Sequence, residues 1–148
     1  MSETPSAGAF IGSEHQLAVR VYYEDTDFSG VVYHANYLRF FERGRTDALR
    51  LAGIHHTELL ADNAVFVVRR MEVDYLRPAK VDDALIVRST FEPPRGARML
   101  IHQSIERDGE VLATARIEAA LIGLEGRPRR FSAAMIASLS AFLPRAAP

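Results

Sequence analysis

Apolar residues recur at alternate, odd-numbered positions in five stretches of the chain. Leu17, Val19, Val21 and Tyr23 alternate with Arg20 and Glu24; Val65, Val67, Met71, Val73 and Tyr75 alternate with Arg70, Glu72 and Asp74. Leu85, Val87 and Phe91 form a third set, Met99, Ile101 and Ile105 a fourth, and Val111, Ala113, Ala115, Ile117, Ala119 and Leu121 a fifth. Each run of period two predicts a strand with one buried face. Between the first and second runs the period changes. Tyr37, Phe40, Phe41, Ala48, Leu51 and Ala52 follow helical spacing, with Arg39, Glu42, Arg43 and Asp47 on much of the other side. A helix from Asn36 to Ala52 is expected, stopped by Gly53. Gly44 inside it has two readings: close backbone approach to the sheet, or a tolerated weak spot. A short terminal helix is expected over 132–143, with Ser132 as its N-cap.

Asp108-Gly109, between the fourth and fifth runs, is the preferred pair for a two-residue hairpin turn. The stretch EPPRG, 92–96, separates the third and fourth runs, and RPAKVDD, 77–83, the second and third. The last four strands are therefore expected as an antiparallel meander. The order β-α-β-β-β-β with a short C-terminal helix makes the fold class α+β, one long helix against one antiparallel sheet. Phe66, Val68, Ile86, Leu100, Leu112 and Ile122 occupy even positions. Strict alternation would put them together on the sheet's second face, an apolar patch that a homo-oligomer is expected to cover.

The 148 residues fit one domain, with residues 1–14 expected as a disordered polar tail and 15–148 as the single domain. A net charge of −1 gives no basis for nucleic-acid binding through bulk charge. The absence of cysteine excludes disulfides, a thiolate nucleophile and Cys-ligated metal, and fits a cytoplasmic location. The opening MSETPSAGAFIGSEH lacks a basic stretch and a long apolar core, so a signal peptide is not expected. No apolar run approaches a membrane span.

Candidate chemistry concentrates where the first strand ends. Glu24, Asp25 and Asp27 are followed by Gly30, which permits a turn, and then by the start of the long helix. Helix-start N–H groups lack internal partners and carry positive dipole, so they can hold a developing oxyanion. A carboxylate facing them can act as nucleophile or general base, and the pair makes a minimal acyl-transfer site. The same acids could equally cap the helix and bind turn amides. DTDFS, 25–29, also fits the Asp-x-Asp-x-Ser nucleophile motif of haloacid-dehalogenase-like phosphatases. That motif needs a parallel sheet and usually a later lysine, whereas here a meander follows and Lys80 is the only lysine.

The stretch RVYYEDTDFSGVVYHANYLRFFERGRTDALR, 20–50, resembles the signature of hot-dog-fold acyl-CoA thioesterases of the 4-hydroxybenzoyl-CoA thioesterase superfamily, and within it the Tol–Pal-associated acyl-CoA thioesterases. The likeness continues through AVFVVRRMEVDYLRPAKVDD, 64–83. It implies a sheet wrapped around the helix, and Asp27, the second acid of D-x-D-x-x-G-[IV]-V, as the catalytic carboxylate. It places the oxyanion-binding amides at Tyr33 and His34, and Phe28, Gly30, Val31 and Asn36 along the substrate. Asp25 is read as structural. Phe28 stands where relatives often have a small residue, which leaves the preferred chain length open. The His34 ring can be catalytic or merely lining, and Glu42 and Arg45 can be surface ion pairs. The resemblance implies no metal or other cofactor. The expected substrate is an acyl-CoA or acyl-carrier-protein thioester, and the active unit is at least a homodimer, with a tetramer expected. Two rivals are a hot-dog dehydratase, whose His-Phe-Pro-type segment is not seen, and a non-catalytic acyl-binding or scaffold protein of an envelope complex. His55-His56 lacks nearby acids for a metal, and RPRR, 127–130, reads as a basic turn.

Overall fold

The aromatic stripe of the long helix decides the architecture, because a stripe of that width must be buried against something equally broad. In the computed structural model, which describes residues 4–144, helix α1 spans Asn36–Leu51 and buries Tyr37, Phe40, Phe41, Gly44, Ala48 and Leu49. Leu49 takes the buried place expected of Leu51, which stays exposed. Gly53, at φ +87°, ends the helix as expected, and the Ile54 N–H closes the turn on the Leu49 carbonyl at 2.8 Å.

One antiparallel sheet wraps this helix. Its strands are β1 (Ala9–Ile11), β2 (Glu14–Arg20), β3 (Val65–Tyr75), β4 (Ala84–Phe91), β5 (Arg98–Arg107) and β6 (Glu110–Ile122), in the spatial order β1-β2-β4-β5-β6-β3. Helix α2 (His56–Ala61) follows α1, and α3 (Ala133–Ser140) closes the fold, its first turn capped by the Ser132 hydroxyl as expected. This is the hot-dog arrangement of the α+β class. Leu85, Val87, Phe91, Met99, Ile101, Ile105, Ile117 and Leu121 are all buried, as their odd numbering predicts. The hairpin at Asp108 (φ +50°) and Gly109 (φ +81°) is also as predicted.

Several expectations are corrected. Residues 9–14, assigned by pattern to the polar tail, belong to the sheet. Ala9–Ile11 pair with Glu14–Gln16, and the Gly8 N–H donates to Asp47 Oδ2 at 2.9 Å. That carboxylate oxygen also lies 2.7 Å from Nε2 of the fully buried His15, so α1 anchors the chain's beginning. The last four strands are not one meander: β4, β5 and β6 are, but β3 pairs with β6 at the sheet's edge. Segment 77–83 does more than separate two strands. It runs beside the acid cluster, with Val31 and Lys80 bridged and the Asp82 N–H on the Val21 carbonyl at 2.9 Å, and so carries the chain across to β4.

The apolar second face changes its members, because two bulges break the alternation and put Val65 and Val67, opposite Ile122 and Ala120, on the outside. The pairing steps from Val68–Ala119 to Arg70–Glu118, so Phe66 and Val68 share the inner face with Leu121 and Ala119. In β6 the register steps from Ile105–Ala113 to Glu106–Val111, which leaves Leu112 as the extra residue, completely buried. Ile86, Leu100 and Ile122 remain outside, among ion pairs that include Arg88–Glu106, Arg88–Glu14 at 3.0 Å and Arg98–Glu118 at 3.5 Å.

Gly44 is a point of close approach. A Cβ there would stand 2.7 Å from Val87 Cγ1, 3.2 Å from Gln103 Nε2 and 3.3 Å from Ser89 Oγ. Gly44→Ala should therefore destabilise the fold by about 1–3 kcal/mol through overpacking, outweighing the better helix propensity of alanine. Urea denaturation measures this; equal or greater stability would mean the helix has room to shift.

Candidate active site

Past β2 the chain makes a single 3₁₀ turn, Tyr23–Asp25, then a small hairpin. Thr26 bridges Val32, the Asp27 N–H donates to the Val31 carbonyl at 2.9 Å, and the Tyr33 N–H donates to the Asp25 carbonyl at 2.9 Å. Gly30 turns the hairpin at φ +81°, a conformation that favours glycine. The returning arm is buttressed by segment 77–83, through the Val32 N–H on the Ala79 carbonyl at 2.8 Å. The Tyr37 hydroxyl, from α1, accepts the Ala79 N–H at 2.9 Å. The hairpin is thus pinned between the helix start and the crossover.

Within it the two aspartates part company. Asp25 is buried. Its Oδ2 accepts the Tyr22 N–H at 2.7 Å and its Oδ1 accepts the Asn36 side-chain amide at 2.8 Å. Both oxygens tie the strand end to the first residue of α1. Asp27 lies at the surface. Its Oδ1 accepts the Ser29 N–H at 2.8 Å and the Ser29 hydroxyl at 2.6 Å, while Oδ2 has no hydrogen-bond partner among the described residues. The Ser29 hydroxyl, and then the Ser29 N–H, hold the Asp27 carboxyl below its ordinary pKa. The result is an oriented, ionised carboxylate with one oxygen free.

At the helix start the amides divide likewise. Tyr33 spends its N–H on Asp25 and Asn36 donates to the Tyr33 carbonyl at 2.8 Å, whereas the N–H of His34 has no acceptor among the described residues. The peptide that carries this N–H is held through its Tyr33 carbonyl on Asn36, while the His34 carbonyl, in the next peptide, accepts the Tyr75 hydroxyl at 2.8 Å, and the His34 ring packs 4.5 Å from Tyr33. Of the two amides expected to hold an oxyanion, His34 is available and Tyr33 is not.

The predicted residues do not all share one cavity. Asp27, Phe28 and Gly30 line a cleft of about 420 Å³ with Tyr23, Thr26 and Val81, and Phe28 stands fully exposed at its rim. His34 lines a second depression with Tyr75 and Pro78. Val31 contributes its backbone, and Asn36 is buried with its amide committed to Asp25, so it serves the frame rather than a cleft wall. Val81 and Tyr75 escaped the sequence reading. The one signal for them was proximity to the motif-like segment 64–83, which says nothing of which side chains turn toward Asp27 or His34.

The Thioesterase-like superfamily matches residues 21–144, spanning hairpin, helix and sheet. The chain is 44% identical over 107 residues to the acyl-CoA thioesterase YbgC of Haemophilus influenzae, covering 72% of this chain and 79% of that protein. It is 39% identical over 121 residues to the acyl-CoA thioester hydrolase YbgC of Escherichia coli O157:H7, covering 80% and 90%. The crystal structure of a probable thioesterase from Bartonella henselae superposes with a TM-score of 0.77 at 46% identity, over 80% of this chain and 99% of that one.

Asp25→Asn replaces one acceptor oxygen with a donor that must face either the Tyr22 N–H or the Asn36 amide. It should cost about 1–3 kcal/mol of stability. Thermal and urea unfolding check this; a fully stable variant would show that the junction does not need both oxygens.

Proposed function

The chain belongs to the Thioesterase-like superfamily, and from that we propose that it is an acyl-CoA thioester hydrolase in which Asp27 is the catalytic carboxylate. One observation carries the assignment of the acid. Of the two aspartates beside the helix start, only Asp27 has an oxygen free for chemistry, because both oxygens of Asp25 are consumed by the frame. The identity to the two YbgC proteins, named as acting on acyl-CoA, supports the substrate class.

Two routes use this geometry. Asp27 Oδ2 can attack the thioester carbonyl, expelling the coenzyme A thiolate and leaving a mixed anhydride for water to open. Alternatively Asp27 takes a proton from water, whose oxygen attacks the carbonyl directly. In either case negative charge grows on the carbonyl oxygen, and the free His34 N–H is the donor proposed to hold it. A single turnover in ¹⁸O-water identifies the first route by an unlabelled acid, because an anhydride opened at the Asp27 carbonyl delivers an Asp27 oxygen to the acid; direct attack by water, or opening at the acyl carbonyl, labels the acid at once.

Asp27 and His34 line separate depressions of one chain, so we infer that a second copy completes the site. The edge strand β3, with one row of backbone groups unpaired, is the natural place to join it. Exposed Tyr22, Tyr23, Phe28 and Tyr33 give the hairpin region an apolar surface to cover. Light scattering should report a homodimer in dilute solution, and a fully active monomer would overturn the shared site.

Asp27→Asn should lower kcat for acyl-CoA hydrolysis by ~10²–10⁴-fold while preserving the circular dichroism spectrum. Near-normal kcat would remove Asp27 from the chemistry. His34→Pro, which deletes the N–H, should cost far more than His34→Ala. Equal losses in two folded variants would transfer the role to the imidazole.

The pH profile gives an independent check. Asp27 must be ionised to act, and Ser29 keeps it ionised to lower pH than an ordinary carboxylate. Ser29→Ala removes the hydroxyl, raises the Asp27 pKa and should move the acidic limb of the kcat/KM profile toward higher pH. An unshifted limb would mean that another group controls it.

A further inference from the structure

Lys80 is the only lysine of the chain, and the crossover 77–83 holds its backbone firmly. Its N–H donates to Asp83 Oδ2 at 2.8 Å, the Val32 N–H donates to the carbonyl of the preceding Ala79 at 2.8 Å, and the Val81 N–H donates to the Gly30 carbonyl at 3.2 Å. The side chain is left loose. It is exposed, and Asp83 spends the same carboxylate oxygen on Arg107 Nη1 at 2.7 Å. Among the described residues the Lys80 ammonium forms no ion pair, whereas Arg107 holds Asp83 and Arg88 holds Glu14. A fixed backbone thus carries an uncommitted primary amine.

The register aims this amine. The Asp27 N–H reaches the Val31 carbonyl at 2.9 Å, and Val31 is bridged in turn to Lys80, so Asp27, Val31 and Lys80 form one row across three antiparallel segments. Directly opposed residues of such segments project to the same side, with Cβ atoms about 4.5–5.5 Å apart. The adjacent row, Thr26, Val32 and Ala79, faces the interior, where Val32 is 4% and Ala79 0% exposed. Asp27 and Lys80 therefore share the outer face, two steps or roughly 10 Å apart at Cβ. The next residue, Val81, lines the Asp27 cleft itself. A thioester carbonyl brought to Asp27 lies within the sweep of the flexible four-carbon lysine stem.

We propose that Lys80 is a site of self-acylation by an acyl-CoA bound at the Asp27 cleft, an inference that rests on the acyl-CoA reading of that cleft. Lys80 Nζ, as the uncharged amine, attacks the thioester carbonyl. The C–N bond forms, the C–S bond breaks, and the coenzyme A sulfur leaves with the bonding electron pair and takes up the proton that the nitrogen sheds. The products are an acyl-lysine amide and the free thiol. Holding the acyl donor beside the amine raises the rate above that of the same groups free in solution. An amide resists hydrolysis far better than a thioester, so the mark accumulates with exposure to acyl-CoA and lays an acyl chain over the cleft.

Incubation of the intact protein with octanoyl-CoA, followed by mass spectrometry of its chymotryptic peptides, tests this. Octanoylation of Lys80 should run at least about tenfold faster than that of Nα-acetyl-lysine amide at the same concentration, and should saturate with octanoyl-CoA. The urea-unfolded chain should fall back to the rate of the free amine. Lys80→Arg combined with Arg127→Lys moves the only lysine to the exposed 127–130 turn, where it should react no faster than the free amine. Asp27→Asn should be octanoylated at Lys80 at least as fast as the wild type, because the thioester itself is the donor. A wild-type rate equal to that of the free amine, an unfolded chain that reacts as fast as the folded one, equal reaction of the relocated lysine, or loss in Asp27→Asn would each overturn the assignment. Release of octanoate, read in the same samples, reports hydrolysis separately: Lys80 acylation without release would sink the proposed hydrolase activity and leave this site standing.

Discussion

The rest of the structure depends on one contact, the backbone of α1 against the sheet at Gly44. With no side chain there, the helix sits close enough for Val87, Ser89 and Gln103 to touch it directly. Phe40 and Phe41 on one side of that point and Ala48 and Leu49 on the other are then drawn into the same interior. Burial of each large apolar side chain is worth ~1.5–3 kcal/mol, so the helix stripe supplies much of the drive for the sheet to close around it. A sheet that must follow a helix cannot stay flat, and the bulges at Arg69 in edge strand β3 and Leu112 in interior strand β6 are where its alternation is interrupted and side chains are redirected.

Seating the helix also fixes where its N-terminus lies, and with it the candidate chemistry. The helix start meets the end of β2 and the crossover 77–83 at a single junction, whose centre is the buried carboxylate of Asp25. Tyr22 and Asn36 reach that carboxylate from opposite sides. Asp27 can therefore be held at the surface with only Ser29 on it, and the His34 N–H can point away from any partner among the described residues. Two acids two positions apart acquire different roles because one faces donors that the fold supplies and the other faces a turn of its own making. The division of labour rests on hydrogen-bond supply rather than on the acids themselves.

Much of this was legible in the sequence. Period-two runs and the one helical stripe marked every long element, Asp108-Gly109 announced its hairpin, Gly53 and Ser132 their helix ends, and the motif around Asp25 and Asp27 pointed to acyl-thioester chemistry. These are local signals: they depend on side-chain spacing along a strand or helix, or on the backbone freedom of a residue in a turn, and neighbours in sequence suffice to express them.

What only the tertiary structure decided is long-range. Whether Phe66 and Val68 face inward depends on one extra residue in the pairing of β3 with β6, and alternation within β3 cannot reveal a step that exists only relative to its partner. The place of β3 at the sheet's edge, beside β6 rather than β4, follows from the crossover packing against the acid hairpin, a contact between residues some fifty positions apart. The short strand Ala9–Ile11 reads as polar tail until Asp47 and the buried His15 give it something to hold. The sequence by itself determined which segments are the long strands, which is the long helix and which acids are candidates. Their neighbours, the faces they present and which of the two aspartates keeps a free oxygen were settled by folding, because a hydrogen bond or a register is a property of two segments and is written in neither alone.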